Sequence, residues 1–158
     1  MTWSTEPLRY RRELDAGLLE PCWPPGVSCR TFAVPDAPAV HALLRLSYAQ
    51  GQGVADFAEW WGKLSRDDEF DPRLCFLAID DEGTIVGVAQ CWTSAYLKDL
   101  AVRPDRQGGR IGESLLRQVF LAFRERGATH LDLKVEAGNT RGIRFYQRAG
   151  MRRVPLEG

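Results

Sequence analysis

The chain has 158 residues, and its 21 basic residues balance its 21 acidic residues. This length favours one domain with a substantial core, and the balanced charge gives no support for a nucleic-acid or membrane partner. Four cysteines without a C-x-x-C pair, together with only two histidines, exclude the common zinc patterns. No apolar stretch approaches the length of a membrane span, and the charged N-terminus does not read as a signal peptide. We therefore expect a cytoplasmic protein that holds no metal.

The first 26 residues contain one segment with a strand-like pattern. Between residues 8 and 14, side chains facing one side are mostly apolar and those facing the other are charged. A period of two is typical of a β-strand. We expect residues 1–26 to be an N-terminal extension that contributes a strand to the sheet of the main domain, residues 27–158. A surface tail is the alternative.

From residue 26 onwards, strand-like and helix-like patterns alternate along the chain. Strands are predicted over 26–34, 73–80, 84–92, 95–102, 129–135 and 151–156, and helices over 35–50, 54–70, 112–127 and 139–150. Asp36 is a plausible N-cap for the first of these helices. This order predicts an α/β fold, a mixed sheet with helices on both faces.

Three glycines, Gly108, Gly109 and Gly112, lie between the strand over 95–102 and the amphipathic helix that follows it. Glycine is costly inside a helix, so the bare backbone at this point needs a reason. Unpaired N–H groups and the positive end of the helix dipole form a site for a phosphate or pyrophosphate. An ordinary glycine-rich loop is the alternative. The Walker, dinucleotide and esterase-elbow patterns are not met in this chain.

The stretch LAVRPDRQGGRIG, residues 100–112, resembles the pyrophosphate loop of the GNAT superfamily of acyl-CoA-dependent N-acyltransferases. Gln107 opens the loop and Gly112 closes it, and Arg110 departs from the family pattern because a glycine is usual there. A second family motif follows at the expected separation. Its residues in this chain are Asn139, Gly142, Tyr146, Gly150 and Met151.

The resemblance implies a central mixed sheet in which two neighbouring parallel strands splay apart around the thioester of acetyl-CoA. It implies transfer of the acetyl group to a primary amine of a small molecule or protein by direct attack; a non-catalytic acyl-CoA-binding module of the same fold is the alternative. Backbone groups of Leu100, Ala101 and Val102 would pair with pantetheine and the acetyl carbonyl. The pyrophosphate would lie on the loop residues Gln107, Gly108, Gly109, Arg110, Ile111 and Gly112. Asn139 is either a further cofactor contact or only a helix cap.

Two side chains are candidates for the chemistry that the resemblance implies. Tyr146 would protonate the leaving thiolate; its alternative role is that of an aromatic anchor beside Phe145. Asp99 lies within an apolar strand, where an unpaired carboxylate is costly, so it is a candidate base or an anchor for a substrate ammonium group. The alternative for Asp99 is a structural ion pair with a neighbouring arginine.

The acceptor pocket is expected near the first two helices and the end of the hairpin. Aromatic residues that could line it, or that belong to the core, are Tyr48, Phe57, Trp60, Trp61, Trp92 and Tyr96. The acidic run at 66–71 could attract a polyamine, although such runs are more often solvated loops.

Members of the family usually continue with two antiparallel strands after the second motif, whereas this chain has room for one. The second central strand would then expose an open edge, which soluble proteins avoid. We expect residues 8–14 to fill this position, beside residues 130–135 or 151–154. The strand could lie in its own chain or in that of a partner, as a swapped homodimer.

Overall fold

The computed structural model describes residues 6–15, 17–48 and 53–157. The strands are β1 (Pro7–Glu13), β2 (Ser28–Thr31), β3 (Phe70–Ile79), β4 (Ile85–Trp92), β5 (Tyr96–Val102), β6 (His130–Glu136) and β7 (Arg152–Val154). The helices are α1 (Ala37–Ser47), α2 (Phe57–Ser65), α3 (Ile111–Glu125) and α4 (Thr140–Arg148). The strands form one sheet in the order β2-β3-β4-β5-β6-β1-β7. Among the described strands, only β5 and β6 pair in parallel.

Two apolar clusters cover opposite faces of the sheet. One joins α3 to residues such as Ala89, Cys91 and Leu133, and the other joins α1 to residues such as Val88 and Ala101. Neighbouring residues of β4 enter different clusters because successive side chains of a strand point to opposite faces. The α/β fold with helices on both faces is confirmed.

Several element boundaries differ from the sequence prediction. The strand predicted over 26–34 is only four residues long, because a 3-10 turn at Val34–Asp36 follows it. Asp36 precedes α1 but makes no side-chain cap; its carboxylate instead accepts hydrogen bonds from Arg30 and from the Ala33 N–H. The second helix is shorter than predicted, since Asp56 caps its start and β3 already begins at Phe70.

Residues 7–13 form β1, which occupies the sheet position between β6 and β7. Seven registered pairs join β1 to β6, from Pro7 opposite Glu136 to Glu13 opposite His130, and three join it to β7. The strand therefore contacts both of the neighbours considered from the sequence, and it does so within its own chain. Tyr10 and Leu14 enter the core on the α3 face.

A buried carboxylate ties β1 to β6. Asp132 is 1% exposed, and it accepts hydrogen bonds from Arg9 Nε (2.7 Å), Arg11 Nε (2.7 Å) and Arg11 Nη2 (2.9 Å). Burial opposes the ionisation of Asp132, but the hydrogen bonds and charges of Arg11 and Arg9 outweigh it and hold the pKa of Asp132 below its ordinary value. This side chain is thus a charged anchor between two strands that are far apart in the sequence.

The segment that follows β1 is held against α3. The Ser114 hydroxyl donates to the Cys22 carbonyl oxygen (2.9 Å) and accepts from the Cys22 N–H (3.2 Å). Arg117 Nη1 donates to the Glu20 carbonyl oxygen at 3.3 Å. These bonds fix the path of the chain from β1 to β2.

Within the described ranges, no helix has both the length and the apolar character needed to cross a membrane. The same ranges contain no group of three or more His, Cys, Asp or Glu side chains arranged to hold a metal ion.

Replacing Asp132 by asparagine leaves two arginines without their carboxylate, and we expect Asp132→Asn to lower the free energy of unfolding by about 3 kcal/mol. Because the folded pKa of Asp132 is depressed, its contribution is present above the unfolded pKa near 3.9 and is lost as the pH falls through the folded value. Urea unfolding of both proteins between pH 7 and pH 3 measures this. The matched control is Lys63→Gln, which removes an exposed helix pair with Glu59 and should cost about 0.5 kcal/mol or less. Equal losses in the two variants would contradict the assignment.

Candidate active site

The two parallel strands separate soon after they begin to pair. The register joins Tyr96 to Asp132 and Leu97 to Leu133, and no registered pair follows along the described strands. The remaining residues of β5 and β6 therefore border a gap that opens toward the carboxyl ends of both strands. Ligands of open α/β sheets commonly bind in such a gap.

The backbone of β5 presents alternate residues to this gap. The Arg103 N–H donates to the Val86 carbonyl oxygen (2.8 Å), which fixes the phase of the antiparallel ladder between β4 and β5. The backbone N–H and C=O groups of residues 99 and 101 are then directed at β4, and those of Leu100 and Val102 are directed at the gap. The prediction that all three residues 100–102 offer free backbone groups is therefore wrong for Ala101, whose backbone groups are directed at β4.

The carbonyl oxygen of Val102 already has partners. It accepts hydrogen bonds from Gln107 Nε2 (3.2 Å) and Ser47 Oγ (3.3 Å). These two bonds tie the end of β5 to the glycine loop and to α1. The gap-facing groups that remain for a ligand are the N–H and C=O of Leu100 and the N–H of Val102.

The glycine loop turns through two left-handed residues before α3 begins. Gly108 has φ of 84° and Arg110 has φ of 71°. Arg110 is the N-cap of α3, so the N–H groups of the first turn point out of the loop without partners in the helix. A Cβ at Gly112 would meet Phe145 and Val102 at 3.6 Å, so the backbone here is close to both bordering elements. This geometry suits an anion.

Arg110 occupies the position where the family usually has glycine, and it adopts the left-handed conformation that glycine favours. A residue with a Cβ pays about 1 kcal/mol or more for this conformation. The loop shape is therefore kept despite the substitution, and a cation is added beside the helix N-terminus.

Asp99 lies next to a bulge in β5. Gln90 pairs with Asp99 and Cys91 with Leu97, so that Lys98 is the extra residue. Asp99 is buried; its Oδ1 accepts a hydrogen bond from the Tyr48 hydroxyl (2.6 Å), and its Oδ2 lies 3.0 Å from Lys98 Nζ. The alternative prediction, an arginine partner for Asp99, is therefore wrong: its partners are Lys98 and the hydroxyl of Tyr48.

The Tyr48 hydroxyl is firmly protonated. Burial raises the pKa of Tyr48 well above its ordinary value, and the charge of Asp99 and the hydrogen bond to it add to this effect. Tyr146 also contributes to the shift in the pKa of Tyr48, which places the two phenols in the same neighbourhood. From the sequence, Tyr48 is predicted only as a possible pocket aromatic, since 51 residues separate it from Asp99.

Tyr146 is carried by α4, where it packs edge to face on Phe145 at a centroid distance of 5.3 Å. Burial raises the pKa of Tyr146 to about 12, so the phenol keeps its proton at neutral pH. Tyr146 is also one of the partly buried residues packed on the α3 cluster. The side chain therefore has a packing role and carries a buried, protonated hydroxyl.

Asn139 caps α4. Its Oδ1 accepts a hydrogen bond from the Gly142 N–H (2.9 Å), and a Cβ at Gly142 would lie 2.6 Å from Asn139 Nδ2. A side chain at position 142 would therefore displace the capping amide of Asn139 in this chain.

The candidate acceptor aromatics make two separate sets of contacts. Trp60 and Trp61 form a chain of ring contacts with Phe57, Phe32 and Phe70 that attaches α2 to the core. Trp92 and Tyr96 are half-buried and pair with each other where β4 meets the start of β5, and Lys98 Nζ is 5.8 Å from the Trp92 ring centre. The acidic run at 66–71 makes local contacts, such as the ion pair between Asp71 and Arg73.

Comparison with known proteins decides the family. The acetyltransferase (GNAT) family matches residues 37–151. The chain belongs to this family. The mycothiol acetyltransferase of Saccharopolyspora erythraea is 34% identical over 148 residues, which cover 89% of this chain and 48% of that protein. The streptothricin acetyltransferase of Streptomyces lavendulae is 36% identical over 124 residues, 75% of this chain and 62% of that protein.

Solved structures of the GNAT fold agree with this assignment. A GCN5-related N-acetyltransferase from Sphaerobacter thermophilus superposes with a TM-score of 0.81 at 29% identity, over 95% of this chain and 50% of that chain. AAC(6′)-Iy in complex with a CoA bisubstrate analogue shares the fold at a TM-score of 0.65 and 15% identity, over 78% of this chain and 89% of that one. The chain spans about half the length of the mycothiol acetyltransferases of S. erythraea and Clavibacter sepedonicus, 48% and 49% respectively.

Restoring glycine at position 110 relieves the left-handed strain, and we expect Arg110→Gly to raise the free energy of unfolding by about 0.5–1 kcal/mol. Thermal and urea unfolding measure the change. The control is Arg124→Gly in the last turn of α3, which should destabilise by about 0.5–1 kcal/mol because that residue is helical. Destabilisation by both substitutions would show that the Arg110 backbone is unstrained.

Proposed function

We propose that this protein is an N-acetyltransferase that transfers the acetyl group of acetyl-CoA to a primary amine by direct attack. The observation that carries the proposal is the gap between β5 and β6, which opens beside the glycine loop and the N-terminus of α3. Membership in the acetyltransferase family supports acetyl transfer as the reaction, and the gap between β5 and β6 would hold the thioester. The amine belongs to a small molecule or to a protein.

The donor would lie along β5 and end at the start of α3. N–H groups of Gly108 to Gly112 would bind the pyrophosphate, with Arg110 adding a positive charge. The free groups of Leu100 and the N–H of Val102 would pair with pantetheine and with the acetyl carbonyl oxygen. The N–H that receives this oxygen would also stabilise the negative charge that develops during attack. Asn139 could add a cofactor contact through the part of its amide that does not cap α4.

The amine must attack in its neutral form. Asp99 would accept the ammonium group or its proton, directly or through water; its support is that it is a buried carboxylate in contact with Lys98 and Tyr48. Tyr48 would hold the carboxylate in one orientation.

Tyr146 would act on the leaving group. An ordinary thiol has a pKa near 8.5, so a phenol with a pKa of about 12 donates a hydrogen bond to the thiolate more readily than it gives up its proton. We therefore assign Tyr146 the stabilisation of the thiolate, with the final proton coming from the attacking amine after the carbon–nitrogen bond has formed. This refines the general-acid role that the family resemblance implies.

A non-catalytic acyl-CoA-binding module of the same fold is the alternative function. Release of thiol from acetyl-CoA, measured with and without a library of primary amines, distinguishes the two. Amine-dependent thiol release together with an acetylated product supports the enzyme. Tight acetyl-CoA binding without release for any amine would favour the module.

A charge introduced at Gly112 tests whether the glycine loop binds the pyrophosphate of acetyl-CoA. A Cβ fits at this position, so Gly112→Ala should change the affinity for acetyl-CoA by about threefold or less, whereas the carboxylate of Gly112→Asp should weaken it by at least about tenfold. Calorimetry with acetyl-CoA measures both. Similar affinities of the two variants would argue against a pyrophosphate at this loop.

Tyr146→Phe removes the hydroxyl and keeps the ring. We expect turnover to fall by about 10-fold to 100-fold, with the dissociation constant of acetyl-CoA nearly unchanged, because the hydroxyl acts as the thiolate leaves. Steady-state kinetics and calorimetry measure the two quantities. Unchanged turnover, with chemistry shown to be rate-limiting, would remove Tyr146 from the mechanism.

Asp99→Asn removes the proposed acceptor carboxylate. We expect kcat/KM for the amine to fall by about 100-fold or more, while the affinity for acetyl-CoA is retained. The matched control is Lys98→Gln, which removes a more exposed partner of the same carboxylate and should change kcat/KM by about threefold or less. Equal effects of both variants would indicate that Asp99 acts only through its ion pair.

A homodimer and a cytoplasmic location remain predictions from the sequence. Light scattering coupled to size exclusion measures the oligomeric state. Fractionation of cells that produce the protein at its natural level measures the location.

A further inference from the structure

A second cavity, of about 370 Å³, lies between the outer side of α3, the C-terminal end of α4 and the segment that follows β1. Its lining includes none of the loop residues 107–111 and none of β5 or β6. The Phe145 ring, which also contacts the Gly112 position, stands between this cavity and the glycine loop. The cavity is therefore outside the donor site described above.

Arg12 lines the cavity with a guanidinium that has no strong anionic partner. Its Nε is fully buried and makes no hydrogen bond with any described residue. Its Nη1 and Nη2 donate to the carbonyl oxygens of Glu13 and Gly17, and the nearest carboxylate, that of the exposed Asp15, is 3.9 Å away. A cation that is 17% exposed and lacks a close counter-ion is costly in a folded protein.

Two further arginines line the same cavity. Arg117 pairs with Glu113, so its single positive charge is already shared with a carboxylate. Arg148 forms no ion pair with any residue that the structure describes. Three guanidinium groups thus face one carboxylate in the lining, which leaves an excess of positive charge.

The rest of the lining is apolar. Leu116 and Phe120 of α3 form one wall, and Leu18 and Leu19 of the segment after β1 form the other. The Arg12 guanidinium lies 5.8 Å from the centre of the Phe120 ring, so the charged and apolar parts are in contact. The volume is within the usual range for small-molecule sites.

Glycine at position 150 keeps Arg12 in this place. A Cβ at Gly150 would lie 2.8 Å from Arg12 Nε, and Gly150 also has a φ of 89°. Any other residue at the end of α4 would displace the buried guanidinium. The cavity and its cation are therefore built into the junction between β1 and α4.

We propose that this cavity binds a small amphiphilic carboxylate, whose charged group pairs with Arg12 and Arg148 and whose alkyl or aryl body packs on Phe120 and the two leucines. A carboxylate matches the fork of a guanidinium, and an apolar body matches the walls. The site is separate from the one that takes acetyl-CoA, so both ligands can bind at once.

The test uses 1-naphthoate as the probe and the full chain saturated with CoA. Calorimetry should give a dissociation constant below about 1 mM, and the neutral analogue 1-naphthalenemethanol should bind at least about tenfold more weakly. Arg148→Gln should weaken naphthoate by about threefold or more, since it removes one of the paired charges. Arg144→Gln is the matched control, because it removes an exposed arginine of the same helix that does not line the cavity, and it should leave the affinity unchanged.

Leu19→Trp provides an independent check, because Leu19 is 59% exposed and its replacement fills the cavity without disturbing the core. We expect loss of naphthoate binding with unchanged thermal stability and unchanged affinity for CoA. Competition between CoA and naphthoate, equal binding of the alcohol, or equal effects of the two arginine variants would each overturn the proposal.

Discussion

The arrangement of the whole site depends on how β6 is held in the sheet. On its β5 side this strand is registered at only two positions, since the gap begins after Leu97 and Leu133. On its other side, seven registered pairs with β1 and the buried Asp132 with its two arginines hold it in place. Because part of its β5 edge is unpaired, β6 is held in the sheet mainly through its pairing with β1. The N-terminal strand is therefore the support on which the gap rests.

The glycine loop shows how a local conformation is kept when the residue type changes. The left-handed turn before α3 persists at Arg110, because the end of β5 and the buried start of α3 fix the backbone on both sides. A cation then stands where the family usually has no side chain. The free-energy cost of the left-handed Arg110 backbone is small compared with the stability that the packing of α3 contributes. The added charge lies where a pyrophosphate would bind.

Burial and charge assign different states to the polar groups of the candidate site. The Asp99 carboxylate contacts a lysine and a phenol, whereas the phenols of Tyr48 and Tyr146 keep their protons because burial raises the pKa of both. One group can thus accept a proton or an ammonium, and another can donate a hydrogen bond. Such a separation of roles between neighbouring titratable groups is typical of sites for acid–base chemistry.

The order of strands and helices, the glycine loop, the two family motifs and the strand character of residues 8–14 could be predicted from the sequence, because each depends on local periodicity or on residues close together in the chain. The partners of these residues are known only from the folded chain. Tyr48 meets Asp99, Ser114 meets Cys22 and Arg9 meets Asp132 across separations of 51, 92 and 123 residues. The phase of the ladder, which withdraws Ala101 from the gap, is set in the same way by a bond from Arg103 to another strand. Contacts of this kind follow from sheet order and helix packing, which no local pattern encodes.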